Sequence, residues 1–332
     1  MDIYKQKSSP LRIQYNIINC KEQTSTYCPD RSYIFVIMAT DLSTSFKDSE
    51  FLNRSTDPKY IDIMADEYSC ICRVPINGTY ENWKKPKNKK KNVFGSIPCW
   101  DESHVVLHLT SDGANYINAN YISGFELKRK FIATEQPIAS TLVNFWTMVF
   151  QENTRVIVML NGSEEEAQQS YPYLSPSQSE IISGDFTIKQ KEINLETYYT
   201  ETVLIITHLK TGESKRVSHL KFLNWPEHTF PHEEEILQFL RIMNERNAEF
   251  FTDAEKNNQR MPGPIVVHGH AGIRRTATFC AIDTCLFEAV VKRTVSIPSV
   301  VLRIRQQRNF SFPGLSYYIF VHSVLLYFLA YF

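Results

Sequence analysis

The stretch Val267-His268-Gly269-His270-Ala271-Gly272-Ile273-Arg274-Arg275-Thr276 constrains this chain more than any other. An apolar, strand-like run, Pro264 to Val267, leads into it, and a helix-like run, Ala277 to Val291, leads out. A glycine-containing turn between a strand and a helix N-terminus gathers backbone N–H groups on one point, where the helix dipole favours negative charge. Arg275 adds a planar, two-pronged donor suited to phosphate. What the loop lacks is a nucleophile. Gly269 sits where a phosphate-cleaving site of this design needs a reactive side chain, so the loop is built to hold a phosphate and has nothing at that position to cut one.

The rest of the chain supplies a scaffold for the loop. Phe51 to Cys72 carries apolar residues at helical spacing. Val105–Leu109, Tyr116–Ile122 and Phe131–Thr134 read as strands. A helix follows from Ser140 to Glu152, capped by Ser140 or Thr141, with Leu142, Phe145, Trp146 and Val149 on one face. Arg155–Leu160 reads as a buried strand and residues 161–180 as loop. Ile181–Ile188, Tyr198–Leu209 and Arg216–Phe222 alternate as antiparallel strands do. His232 to Arg246 is an amphipathic helix, and Ser299–Arg308 and Leu315–Phe332 are helices too. The basic run Lys84 to Lys91, broken by Pro86 and Asn88, reads as a solvated loop in preference to a nuclear-localisation or phosphate-steering element. These segments predict one α/β (α+β) domain over residues 45–332, a highly twisted mixed sheet flanked by helices. Residues 1–44, polar and without clear periodicity, read as a weakly ordered extension, and Met38 is a plausible alternative start.

Composition narrows the function. Of 332 residues, 43% are hydrophobic, ample for a sizeable core, and the formal net charge is zero, so no global field draws the chain to nucleic acid or membrane. The seven cysteines are scattered. Only Cys70 and Cys72 lie close together, a poor zinc signal, and the set reads as reduced thiols of a cytoplasmic protein. No metal or other cofactor is implied. Met1 precedes polar residues rather than a secretory leader. Tyr317 to Phe332 is apolar but shorter than the ~20 residues of a spanning helix, and His322 and Ser323 interrupt it, so it reads as a buried last helix. A monomer is expected.

Six stretches, in chain order, carry a family resemblance. They are Asn115-Tyr116-Ile117-Asn118-Ala119-Asn120-Tyr121-Ile122, Phe131-Ile132-Ala133-Thr134-Glu135-Gln136-Pro137, and Phe145-Trp146 with Arg155 to Leu160, followed by Trp225-Pro226-Glu227, His268 to Arg275, and Gln307-Arg308 with Tyr318. Together they resemble the classical protein tyrosine phosphatase domain. That resemblance implies a signature His-Cys-x-x-Gly-x-x-Arg whose thiolate is the nucleophile, and an Asp after Trp-Pro that protonates the leaving phenol. It also implies late glutamines that position water, an aromatic residue that packs on the substrate ring, and an Asp two residues beyond it that holds the substrate backbone.

Mapped residue by residue, His268, Gly272 and Arg275 match, with the loop backbone of His270, Ala271, Gly272, Ile273, Arg274 and Arg275 as the phosphate-binding set. The nucleophile position is Gly269, and the general-acid position is Glu227, whose extra methylene displaces its proton. Pro313 and Tyr317 fall at the two water-positioning sites. Phe94 takes the ring-packing position and Ser96 the Asp position. His270 reads as a solvent-edge side chain in preference to a phosphohistidine. Arg274 stands where the family has Gly and either crowds the loop or adds a second cation at its mouth.

Groups needed for cleavage are altered, and several that suffice for binding remain. The resemblance therefore implies an inactive phosphatase-like protein that binds or shields phosphotyrosyl proteins. A residual hydrolase using Glu227, and a structural relic with a phosphate-independent partner, are the alternatives. Asn77-Gly78-Thr79-Tyr80-Glu81-Asn82 and Pro98-Cys99-Trp100-Asp101 further resemble the phosphatase-like proteins encoded by polydnaviruses of parasitoid wasps. That resemblance implies action in a host cell's cytoplasm and interference with host immune-cell signalling.

Overall fold

The computed structural model describes residues 42, 44–109, 115–160, 173–174, 180–225 and 229–332. The expectations for the N-terminal extension, Met38 included, for most of 161–180 and for Glu227 lie outside the described residues. Leu42–Phe332 forms one compact unit.

Strand β1 (Phe46–Lys47) is followed by helices α1 (Asp48–Arg54) and α2 (Tyr60–Arg73). Helical spacing predicts one helix across Phe51–Cys72, but the chain turns between Arg54 and Tyr60. There Asp57 accepts the Lys59 N–H at 2.8 Å, and Pro58 has no N–H to continue a helical ladder. The basic run is ordered as well. Helix α3 (Glu81–Lys84) and a 3-10 turn (Pro86–Lys91) replace the expected loop, pinned by buried Asn88, which donates to the Asn82 carbonyl at 2.7 Å. Lys84, Lys85, Lys87, Lys89 and Lys90 remain exposed.

Next come strands β2 (His104–Val106), β3 (Tyr116–Ile122) and β4 (Phe131–Thr134), helix α4 (Leu142–Gln151), and strands β5 (Val156–Met159), β6 (Ile181–Ser183), β7 (Phe186–Leu195), β8 (Tyr199–His208) and β9 (Ser214–Phe222). Helix α5 (Glu233–Lys256), strand β10 (Ile265–His268), helix α6 (Arg275–Lys292), strand β11 (Thr294–Val295) and helices α7 (Ile297–Gln307) and α8 (Leu315–Tyr331) complete the order. The expected strand Ile181–Ile188 is split by a turn at Gly184-Asp185, with Gly184 at φ +57°. Helix α5 continues past Arg246 because the inward stripe continues with Phe250 and Ala254 beneath a charged outer face.

Nine strands form one sheet in the order β2-β3-β4-β10-β5-β9-β8-β7-β6. β4, β10, β5 and β9 are mutually parallel neighbours, and the remaining pairs are antiparallel. Alternation sends Ile132, Ile157 and Val266 toward Phe145, Trp146 and Val149 of α4. Their neighbours Phe131, Ala133, Val156, Val158, Ile265 and Val267 face the cluster built with α5, α6, α7 and α8. Both faces are covered, which is why the central strands read as continuous apolar runs. Helix α6 is buried without a break from Arg275 to Cys285. Among the described residues no helix is long and apolar enough to cross a membrane.

Parallel strands of this kind leave a crevice outside their carboxyl ends. Here β4 leads to Glu135, β5 to Leu160, β9 to Trp225 and β10 to Gly269, all at the same edge of the sheet.

Candidate functional site

The loop between β10 and α6 is held open by its carbonyls. His270 O accepts the Gln136 N–H at 3.2 Å, and Ile273 O accepts the Phe312 N–H at 3.1 Å. Ala271 O and Gly272 O accept from Arg308 Nη2 and Nε at 3.4 and 3.3 Å. Arg274 O accepts the Thr278 N–H at 3.0 Å and so begins α6. Across a trans peptide the next N–H points opposite to the carbonyl. The N–H groups of Ala271, Gly272, Ile273, Arg274 and Arg275 therefore turn away from these anchors. Gly272 sits at φ +68°, and a Cβ there would lie 2.3 Å from Thr134 O, so only glycine fits.

The loop lines a cavity of about 400 Å³, within the usual range for a ligand site. Its walls bring together most of the residues singled out in the sequence: Phe94, Ser96, Gly269, His270, Ala271, Gly272, Ile273, Arg274, Arg275, Pro313 and Tyr317. Glu227 is not among the described residues, but Trp225, two residues before it, is buried against Phe222, Phe230 and Phe320. Ile97, Thr276 and Phe310 complete the lining.

Individual side chains divide into anchors and pocket groups. Arg275 is buried, with Nη1 donating to the Leu160 carbonyl at 3.2 Å at the end of β5. Arg274 is exposed at the N-cap of α6. Thr276 is fully buried, and its hydroxyl has no hydrogen-bond partner among the described residues. The half-buried His270 ring meets Phe94 edge-to-face, centroids 4.7 Å apart, in the wall of the pocket.

Three features behind the loop escaped the sequence reading as site residues. The first is Arg308, fully buried, whose Nη1 donates to Asn118 Oδ1 at 2.6 Å and Asn120 Oδ1 at 2.8 Å while its other nitrogens hold the two loop carbonyls. The Asn-x-Asn spacing on β3 was the available signal, because residues two apart on a strand share a face. The second is Glu135, a buried carboxylate that accepts the Val93 N–H at 2.8 Å and the Phe94 N–H at 3.4 Å, tying the ring-packing segment to the sheet. Burial pushes its pKa up to about 7, against the pull of Arg308 and the two N–H groups. The third is a buried polar relay in which the Tyr173 hydroxyl lies 2.7 Å from His268 Nε2 and 2.5 Å from His219 Nε2. Burial pushes both histidines down to about 3, so they are neutral in a fold that keeps water out.

A family model described as Protein-tyrosine phosphatase matches residues 88–327. "Probable tyrosine phosphatase protein N1" of Microplitis demolitor bracovirus (isolate Webb) is similar at 36% identity over 266 residues, 78% of this chain and 82% of the relative. "Tyrosine phosphatase-like protein H1" of the same virus is 32% identical over 79% of each chain. The human "Tyrosine-protein phosphatase non-receptor type 9" is 32% identical over 79% of this chain and 45% of its own length.

Proposed function

The chain belongs to the protein-tyrosine phosphatase family, and from that premise we propose that it binds phosphotyrosyl proteins and shields them without hydrolysing them. The observation that carries this reading is the loop. Five N–H groups turned from their carbonyl anchors, with buried Arg275, surround a cavity whose nucleophile position is Gly269. Losing a covalent nucleophile costs roughly 10⁶-fold in turnover in a well-studied hydrolase, about 8 kcal/mol of barrier. Pro313 has no side-chain amide to orient water, and the altered general-acid position, Glu227, points the same way.

Binding follows a different account. A thiolate about 4 Å from a phosphate repels it by roughly 4 kcal/mol at an effective dielectric near 20, and Gly269 has no such charge. The Phe94 ring supplies the face for the substrate phenyl. We assign this activity to residues 45–332 as a monomer, with residues 1–44 as an extension. Host-cell cytoplasm is the proposed place of action and host immune-cell signalling the process affected, in keeping with the bracovirus relatives.

Two measurements test the reading. Incubation with an aryl phosphate should give no turnover above background, and calorimetric titration with a phosphotyrosyl peptide should give saturable binding that weakens at least about tenfold in Arg275→Ala. Hydrolysis by the unaltered chain sinks the claim of inactivity. Absence of binding at millimolar peptide sinks the claim of shielding, and binding that survives Arg275→Ala moves the partner to a surface unrelated to phosphate.

A further inference from the structure

Arg274 is the residue that a simple phosphate holder does not explain. It is the N-cap of α6, its side chain makes no capping bond, and Arg275 follows at the first helical position. The first turn of α6 contains no acidic residue. Arg274 therefore stands at the positive end of a helix dipole, where a cation is disfavoured unless an anion lies near it. Among the described residues the cavity lining holds Arg274, Arg275 and His270 and no carboxylate. Nor does the Arg274 guanidinium have an ion-pair partner there, in contrast to Arg54 with Glu67 or Arg246 with Glu201.

Crowding is not what the side chain causes. Arg274 is exposed, and the carbonyls of His270, Ala271, Gly272 and Ile273 all keep their outward anchors. The loop accommodates arginine with its N–H cradle intact. One phosphate group has the five N–H groups and Arg275 to occupy its oxygens. The Arg274 fork is left over at the rim of the same cavity.

We propose that Arg274 is a specificity-determining residue that recognises a second anionic group next to the phosphotyrosine, so that the preferred ligand is a phosphotyrosyl segment with a carboxylate or a further phosphate on an adjacent residue. This rests on the phosphotyrosine-holding reading of the pocket. The geometry favours a bidentate partner, because a guanidinium pairs two parallel N–H groups with a carboxylate or phosphate edge. Lysine at this position would supply charge without that fork.

The test uses the full chain and three synthetic peptides of one sequence. Each carries a phosphotyrosine, and the adjacent residue is alanine, glutamate or phosphoserine. The unaltered chain should bind the glutamate or phosphoserine peptide about tenfold or more tightly than the alanine peptide, the effect of one charge-assisted contact. In Arg274→Gln that ratio should fall to about one, and in Arg274→Lys to an intermediate value. The glutamate and phosphoserine arms say which anion is preferred. Equal affinities for all three peptides, or a preference that persists in Arg274→Gln, overturns the assignment while leaving the pocket reading standing. If no peptide binds at millimolar concentration, the pocket reading fails and the assignment fails with it.

Discussion

Arg308 and Gly272 hold the loop between β10 and α6, one by donating to its carbonyls and the other by leaving room for Thr134 O. Gly272→Ala combines a positive φ with a backbone clash and should destabilise the chain by about 3 kcal/mol, read as a lower urea midpoint. Arg308→Lys keeps the charge and loses the fork, so phosphopeptide affinity should fall about tenfold or more with the fold retained by circular dichroism. An unchanged affinity removes Arg308 from its positioning role. Gly269→Cys alone should not restore full turnover, since Pro313 and Glu227 remain altered; full phosphatase rates in that single variant contradict the reading. Glu135 gives the pocket a pH dependence. Its folded value is raised from 4.5 to about 7, so the folded chain holds the proton more tightly than the unfolded one. Stability present below about 4.5 is lost as pH rises through about 7, a difference of roughly 3 kcal/mol. Buried His219, His268 and His322, pushed down to about 3, act in the opposite sense, and their contribution is lost as pH falls below about 6.5. Glu135→Gln should remove the fall in urea stability between about pH 4.5 and 7 and leave in place the loss that the buried histidines cause as the pH drops.

At the scale of elements, the parts of the fold with one clear period were the legible ones. Tyr116–Ile122 and Phe131–Thr134 match their strands end for end, because each is a short apolar run bounded by polar turns. Boundaries were lost where one residue overrides a pattern: at Pro58, at Gly184, and along α5, whose charged outer face hides its inward stripe. The pocket's walls were legible because they carry a motif, whereas its supports were not. Arg308, Glu135 and Tyr173 act through partners tens to hundreds of residues away, and such contacts leave no local period in a sequence. One element end has a correctable defect. Helix α6 is capped by Arg293 at φ +57°, a left-handed conformation that costs a side-chain-bearing residue about 1–2 kcal/mol. Arg293→Gly should raise the unfolding free energy by about 1 kcal/mol without touching the cavity, measurable as a higher thermal midpoint; a lower midpoint means the arginine makes a contact that outweighs its backbone.

Across the whole molecule, two apolar clusters lie on opposite faces of one sheet and share β4, β5 and β10. Neither face can be lost alone. Trp146→Ala, on the α4 face, should cost about 3–5 kcal/mol, and helical signal and phosphopeptide binding should disappear in one urea transition; two separated transitions contradict a single cooperative unit. The parallel centre of the sheet also gives the molecule a front and a back. Every strand that feeds the pocket does so from its carboxyl end, and the hairpin joining β8 to β9 turns at the opposite edge, where Thr211 is exposed and Gly212 takes φ +71° with open space around it. Because Cys72 is itself free and exposed, a fluorophore or surface tether is better attached through a bio-orthogonal side chain placed at position 211 than through a thiol; it leaves the mouth facing solvent, so that a candidate phosphorylated partner can be tested against a single orientation of the protein.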